Sequence, residues 1–194
     1  MSMEIPLWRD GAVLLIDHQV GTMSWVKSIP LEELKRNALM LAKTAKVLEL
    51  PVVLTSSMED HAQGPLMEEL ATVLPDAFQS RIKRIGIVNA MDDPAFAAAV
   101  GATGRRTVIV AGVTNDVCTV FPVLTLLEQD YEVVVVADAG GSPGVAADRL
   151  ALDRMERAGA VLVGTNQLIA GLAGDWSTPE GGQLVEVVAA SLTA

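Results

Sequence analysis

Short runs of Val, Ile and Leu recur along the chain, separated by stretches whose apolar residues return every third or fourth position. The short runs predict strands near 12–17, 51–56, 81–85, 106–112, 132–138 and 160–163. The third, RIKRI, is the poorest in apolar residues. Helical spacing predicts helices over 31–49, 65–73, 93–103, 116–129, 145–158 and 165–172. Pro30, Pro65 and Pro94 stand near helix starts, where a missing N–H costs little. Strands apolar along their whole length, alternating with helices, predict a parallel sheet buried on both faces. The expected fold is a three-layer α/β/α sandwich, with a six-stranded parallel sheet of order 3-2-1-4-5-6 and a single domain over 1–194.

Composition narrows the partners. The 51% hydrophobic content lies in runs such as AVLLI and EVVVVA, far short of the roughly 20 residues of a membrane span. A net charge of -10, with Lys and Arg single or in pairs, gives nucleic acid and anionic membranes nothing to gain from counterion release. A small-molecule substrate or a protein partner is expected instead. Cys118 is the only cysteine, so no intrachain disulfide can form. No basic segment followed by an apolar stretch opens the sequence, and a free thiol in a reducing cytoplasm is predicted.

Open α/β sheets bind ligands outside the carboxyl ends of their strands, where the strand order reverses. Three chemically capable groups fall at such ends: Asp17 after AVLLI, the pair Lys83 and Arg84 in the third strand, and Cys118 just past TVIVAGV. In the order 3-2-1-4-5-6, Asp17 and Cys118 face one crevice. A helix N-terminus at Cys118 would lower its pKa, with Asn115 or Asp116 as cap, and Asp17 would accept the thiol proton. Backbone amides around Thr114 and Cys118 would donate to the oxygen of a tetrahedral intermediate. The spacing alone also fits blander roles. Cys118 would then be a small buried hydrophobe, Asp17 a turn former, and Lys83 and Arg84 charges guarding an edge strand.

Other α/β chemistries lack their signatures. LIDHQVG carries no G-x-G-x-x-G after the first strand, GGSPG at 140–144 lacks the P-loop Lys, and no G-x-S-x-G is present.

Six blocks in order carry a resemblance over nearly the whole chain: AVLLIDHQVG, LPVVLTSS, RIGIVNAMDD, VIVAGVTNDVC with FPVL, VVVVADAGG and DRMERAGA. The sequence resembles the isochorismatase-like cysteine hydrolases, and within them the YcaC-like branch. The resemblance implies Asp17 as general base and Cys118 as nucleophile. It selects Arg84 over Lys83 as the cation by aligning RIGIVNAMD with the branch's RPGxINAWD. It also implies a cis peptide between Val113 and Thr114, with the Thr114 and Cys118 amides as oxyanion hole. The implied reaction is hydrolysis of a small amide or related carbonyl through a thioester. Vinyl ether hydrolysis of the isochorismate type and a non-enzymatic thiol sensor or scaffold are the alternatives. Candidate pocket residues are Gln19, Trp25, Met58, Asn89, Met91, which stands where the branch has Trp, and Phe121.

No cofactor is implied. Metal-dependent nicotinamidases of the family carry an Asp-x-His pair after the second strand. TSSMEDHAQG places Asp60 and His61 adjacent instead, so no catalytic metal is expected and His18 and His61 are assigned to local hydrogen bonding. YcaC-like proteins assemble into rings, commonly octamers. A homo-oligomer is therefore expected, with the apolar segment LVEVVAASL at 184–192 as an interface candidate.

Overall fold

The structure, a computed structural model, describes residues 7–192. The strands are β1 (Ala12–Ile16), β2 (Val52–Ser57), β3 (Ile82–Arg84), β4 (Thr107–Gly112), β5 (Glu132–Val136) and β6 (Val161–Val163). The helices are α1 (Val20–Ser24), α2 (Leu31–Val47), α3 (Glu69–Val73), α4 (Pro75–Gln79), α5 (Pro94–Ala102), α6 (Val120–Glu128), α7 (Val145–Ala158), α8 (Thr165–Ala173) and α9 (Pro179–Leu192). One sheet of order β3-β2-β1-β4-β5-β6 runs parallel throughout, as the sequence predicts.

Alternation along the strands divides the core in two. Val13 and Leu15 of β1 face a cluster shared with Leu34 and Leu41 of α2, Leu70 of α3 and Leu168 of α8. Leu14 and Ile16 face the opposite layer, with Phe96 and Val100 of α5, Val123 and Leu126 of α6 and Met155 of α7. Full burial of each such side chain contributes about 1.5–3 kcal/mol, so the two layers fix the strands from both sides. Helix ends follow local chemistry. Asp93 caps α5 by accepting from the amides of Ala95 at 2.9 Å and Phe96 at 3.2 Å, with Pro94 at the first helical position. Gly159 ends α7 in the left-handed region, φ 115°.

Several boundaries depart from expectation. The helix predicted over 65–73 begins only at Glu69. Leu66 pairs with Gln19 in an antiparallel bridge, and the Met67 amide donates to the His18 carbonyl at 2.9 Å. Those apolar residues are buried as a helix face would be, but their backbone is spent on the loop after β1. The segment expected as a helix over 116–129 opens with a π-helical turn, Asn115–Thr119, before α6. The 184–192 segment lies within α9, and Leu184, Val187 and Val188 pack against Met40 and Val47 of α2, Leu48 just after it and Ile169 of α8. Leu184 is buried in this contact, Val187 and Val188 are partly covered by it, and Val185 stays exposed. Among the described residues no helix is long and apolar enough to cross a membrane.

Candidate active site

β1 and β4 are neighbours at the reversal of strand order, with Ile16 opposite Gly112. Their carboxyl ends deliver Asp17 and the Val113–Cys118 segment to one place. The Asp17 amide donates to Thr55 O at 2.9 Å, and its backbone turns at φ 58°. Met58, just past β2, also sits in the left-handed region, at φ 51°. Two non-glycine residues so placed at adjacent strand ends mark a site whose side-chain directions are imposed by the surrounding packing. The Val113–Thr114 peptide bond is cis.

β3 supplies the cation. Strand alternation separates its two basic residues: Lys83 faces solvent and pairs with Glu59 at 3.2 Å, while Arg84 is buried. Arg84 reaches past β2 to Asp17. Its Nη2 donates to both Asp17 oxygens at 2.5 Å, its Nε to Thr55 Oγ1 at 3.0 Å and its Nη1 to Ile87 O at 2.5 Å. Each arm of the guanidinium has an acceptor, and the fork geometry needed for this belongs to Arg rather than Lys.

Cys118 is the fourth residue of the π-helical turn. The turn packs closely on the strand end: a Cβ added to Gly112 would stand 2.5 Å from Thr119 Oγ1 and 3.2 Å from Ile16 Cβ. The turn is also fastened to the loop after β5. The Asn115 amide donates to Gly141 O at 2.8 Å, and the Asp116 amide to Ser142 Oγ at 3.3 Å. Asp148 of α7 accepts from Asn115 Nδ2 at 3.0 Å and from Ser142 Oγ at 2.8 Å. Neither Asn115 nor Asp116 caps the turn with its side chain, contrary to expectation: Asn115 Nδ2 donates to Ala137 O and Asp148, and its Oδ1, the capping atom, has no partner among the described residues.

The electrostatics also differ from the sequence reading. Burial, and next the negative charge of Asp17, push the Cys118 thiol up to about 12. The Asp17 carboxylate lies beside the thiol and raises its pKa further, while the Thr114 backbone and Arg84 lower it. Burial raises the Asp17 pKa, opposed by the charge and hydrogen bonds of Arg84. The resting arrangement is therefore a protonated thiol aimed at a carboxylate held by a guanidinium.

These groups open onto a cavity of about 290 Å³ lined also by Thr22, Trp25, Met58, Gln63, Val88 and Val117. Its size fits a small substrate. Of the candidate pocket residues, Trp25 and Met58 line it; Gln19, Asn89, Met91 and Phe121 do not. Gln19 is a buried clamp that accepts from Ser57 N at 2.8 Å and donates to Ser57 O at 2.9 Å and to Gly64 O. Asn89 caps a short 3-10 turn by accepting from the Met91 amide, and donates to Thr125 Oγ1 at 3.0 Å. Met91 belongs to the core layer of Phe96, and Phe121 lies outside under the Arg154 guanidinium. Thr22 of α1, Gln63, Val88 and Val117 went unrecognised in the sequence, although each lies in the segment that follows a strand end.

His18 Nε2 donates to Ala139 O at 2.8 Å, and burial lowers its pKa to about 4, so the ring is neutral. The His61 side chain is exposed. Among the described residues no group of three or more His, Cys, Asp or Glu side chains is placed to hold a metal ion.

Residues 11–167 match the isochorismatase domain model. The chain is 41% identical over 168 residues to the probable hydrolase YcaC of Escherichia coli strain K12, covering 87% of this chain and 80% of that one. The solved Escherichia coli YcaC, described as an octameric hydrolase of unknown specificity, superposes with a TM-score of 0.88 at 38% identity, covering 95% of this chain and 91% of that chain. YcaC from Pseudomonas aeruginosa, solved with hexane-2,5-diol and covalent acrylamide, gives a TM-score of 0.90 at 37% identity, over 100% of this chain and 96% of that chain. Together with the fold and the strand-end site, the matches show that this chain belongs to the isochorismatase family of hydrolases.

Proposed function

We propose that the protein hydrolyses a small amide or related carbonyl compound through a thioester on Cys118. The observation that carries this reading is the direct contact of one buried carboxylate, Asp17, with both the Arg84 guanidinium and the Cys118 thiol, beside a small cavity. A thiol beside a base within hydrogen-bond reach is the arrangement that nucleophilic catalysis requires.

Asp17 takes the thiol proton as Sγ attacks the substrate carbonyl carbon. A tetrahedral oxyanion forms next to the Thr114 amide, and the Cys118 amide completes the oxyanion hole. Asp17 returns the proton to the departing nitrogen, leaving an amine and an acylated Cys118. Water then gives a proton to Asp17 and attacks the thioester, and the departing sulfur recovers the proton with release of the acid. Arg84 stays charged throughout and orients Asp17 without exchanging protons.

A sensor role is disfavoured by the raised thiol pKa, since oxidant-sensing cysteines are exposed thiolates. We infer that the chain forms a homo-oligomer, as the octameric relative does. Exposed apolar side chains near the cavity, Trp25, Val88 and Val117, together with Ile85, support this reading. The test is a screen of small amides and esters with release of amine or alcohol as readout. Turnover abolished by Cys118→Ala supports the assignment, and turnover retained by that variant refutes it.

A further inference from the structure

Thr55 lies in the block LPVVLTSS, two residues before the end of β2, and is fully buried. It stands opposite Ile16 of β1 on one side and Ile82 of β3 on the other. Its surroundings are apolar: Val53, two residues earlier, belongs to the layer of Leu14 and Ile16, and Ile82 packs against that layer. Valine has the same shape and would fill this place without a hydroxyl, whose burial is costly unless it is hydrogen-bonded.

The bonds of Thr55 account for the hydroxyl. Oγ1 gives its single proton to Ile82 O at 2.8 Å. What it has left is acceptor capacity, and Arg84 Nε donates to it at 3.0 Å. The backbone carbonyl of the same residue accepts from the Asp17 amide at 2.9 Å. Thr55 thus holds the main chain of the carboxylate and the side chain of the guanidinium facing it. Arg84 has two other acceptors, Asp17 and Ile87 O. Asp17 is the group to be oriented, and Ile87 sits in the loop after β3, next to Gly86 at φ 113°. The anchor within the sheet is Thr55. A guanidinium is planar, so holding Nε and Nη1 fixes its plane and aims Nη2 at the carboxylate. Thr55 does not line the cavity, so it acts on substrate only through these two residues.

We propose that Thr55 is a positioning residue for the hydrolysis: its hydroxyl, locked as an acceptor by Ile82 O, sets the plane of Arg84 and thereby the direction of the Asp17 carboxylate. This rests on the hydrolase reading for the role of Asp17. In Thr55→Val the buried Nε–H loses its acceptor, and the guanidinium turns away from Asp17 to find another. Thr55→Ser keeps the acceptor.

The test uses full-length protein carrying carbon-13 at the aspartate side-chain carboxyl, with the Asp17 NMR signal assigned by its loss in Asp17→Asn. Arg84 lowers the Asp17 pKa by its charge and hydrogen bonds, against the raising effect of burial. The other titratable group facing Asp17 is the Cys118 thiol, which stays protonated up to about 12. A looser Arg84 therefore moves the Asp17 titration up, by about one pH unit in Thr55→Val, and Thr55→Ser returns it to the wild-type position. Thr55→Ala takes the place of the valine variant if that one fails to fold. A hydroxyl that served stability alone would lower the urea midpoint and leave the titration where it is. On an amide from the screen, Thr55→Val should lower kcat about tenfold and leave KM within about twofold. An unmoved titration in the variant lacking the hydroxyl, a serine variant displaced as far as the valine one, or wild-type kcat in Thr55→Val would overturn the proposal. The titration needs no turnover. If it moves while no amide is hydrolysed, only the hydrolase reading fails; if amides are hydrolysed and it does not move, only the positioning role fails.

Discussion

Asp17 and Arg84 form an ion pair in which one guanidinium nitrogen donates to both carboxylate oxygens at 2.5 Å, and both side chains are 1% exposed. Removing one partner of such a pair leaves the other buried and uncompensated, at a cost of about 3–5 kcal/mol. Arg84→Met is expected to lower unfolding stability by that order in urea titrations and to abolish turnover. Arg84→Lys keeps the charge but cannot serve Thr55, Ile87 O and Asp17 together, so it should lie between wild type and Arg84→Met in both measurements.

The same carboxylate controls the thiol. After burial, the Asp17 charge is the next cause holding Cys118 near 12, while Arg84 pulls the other way. Neutralising Asp17 removes a raising influence and leaves the lowering one. In Asp17→Asn the thiolate should therefore form at lower pH. Iodoacetamide labelling of the folded protein against pH is expected to show a profile displaced downward from wild type. Coincident profiles would mean that the two groups are not coupled.

Asp148 does not touch the cavity, yet it ties Asn115 and Ser142 to α7 and so fixes the turn that carries Cys118. Asp148→Ala strands both donors. The expected loss is about 1–3 kcal/mol of stability, with kcat lowered more than KM is changed. Restoration of kcat by Asp148→Asn, whose carbonyl can still accept, would separate positioning from charge.

Acid stability should depend on Glu59. Arg81 holds its carboxylate at 2.6 and 3.0 Å, with further bonds from Ser56 and Lys83, and together these lower the pKa from 4.5 to about 2. Between those values the unfolded chain binds a proton that the folded chain does not. Stability from this group is complete above 4.5 and is lost as pH falls toward 2. Urea midpoints should therefore converge for wild type and Glu59→Gln as pH drops through this window.

The catalytic candidates were legible because strand ends in a doubly wound sheet are few, and Asp17 and Cys118 each followed an apolar run, with Arg84 in the weaker third strand. The choice of Arg84 over Lys83 needed the family resemblance in the sequence, whereas β3 makes it by alternation. Pocket lining was less legible. Met91 and Asn89 stand beside a motif, but adjacency in sequence does not tell whether a side chain turns toward the crevice or back into the core. The loop at 65–68 has the burial of a helix without its hydrogen bonds, a distinction that periodicity cannot make. The direction of the thiol shift was hidden for a related reason: burial decides it, and burial is a property of the assembled layers.

The central claim is that Cys118 carries the acyl group. An amide found by the screen, mixed with enzyme and quenched in acid within the first turnover, should add the mass of its acyl moiety to the intact protein. Peptide mapping should locate that mass on Cys118, and hydroxylamine should remove it. Turnover of the same amide with no acyl mass on wild-type protein, or with full rate in Cys118→Ala, would contradict the account.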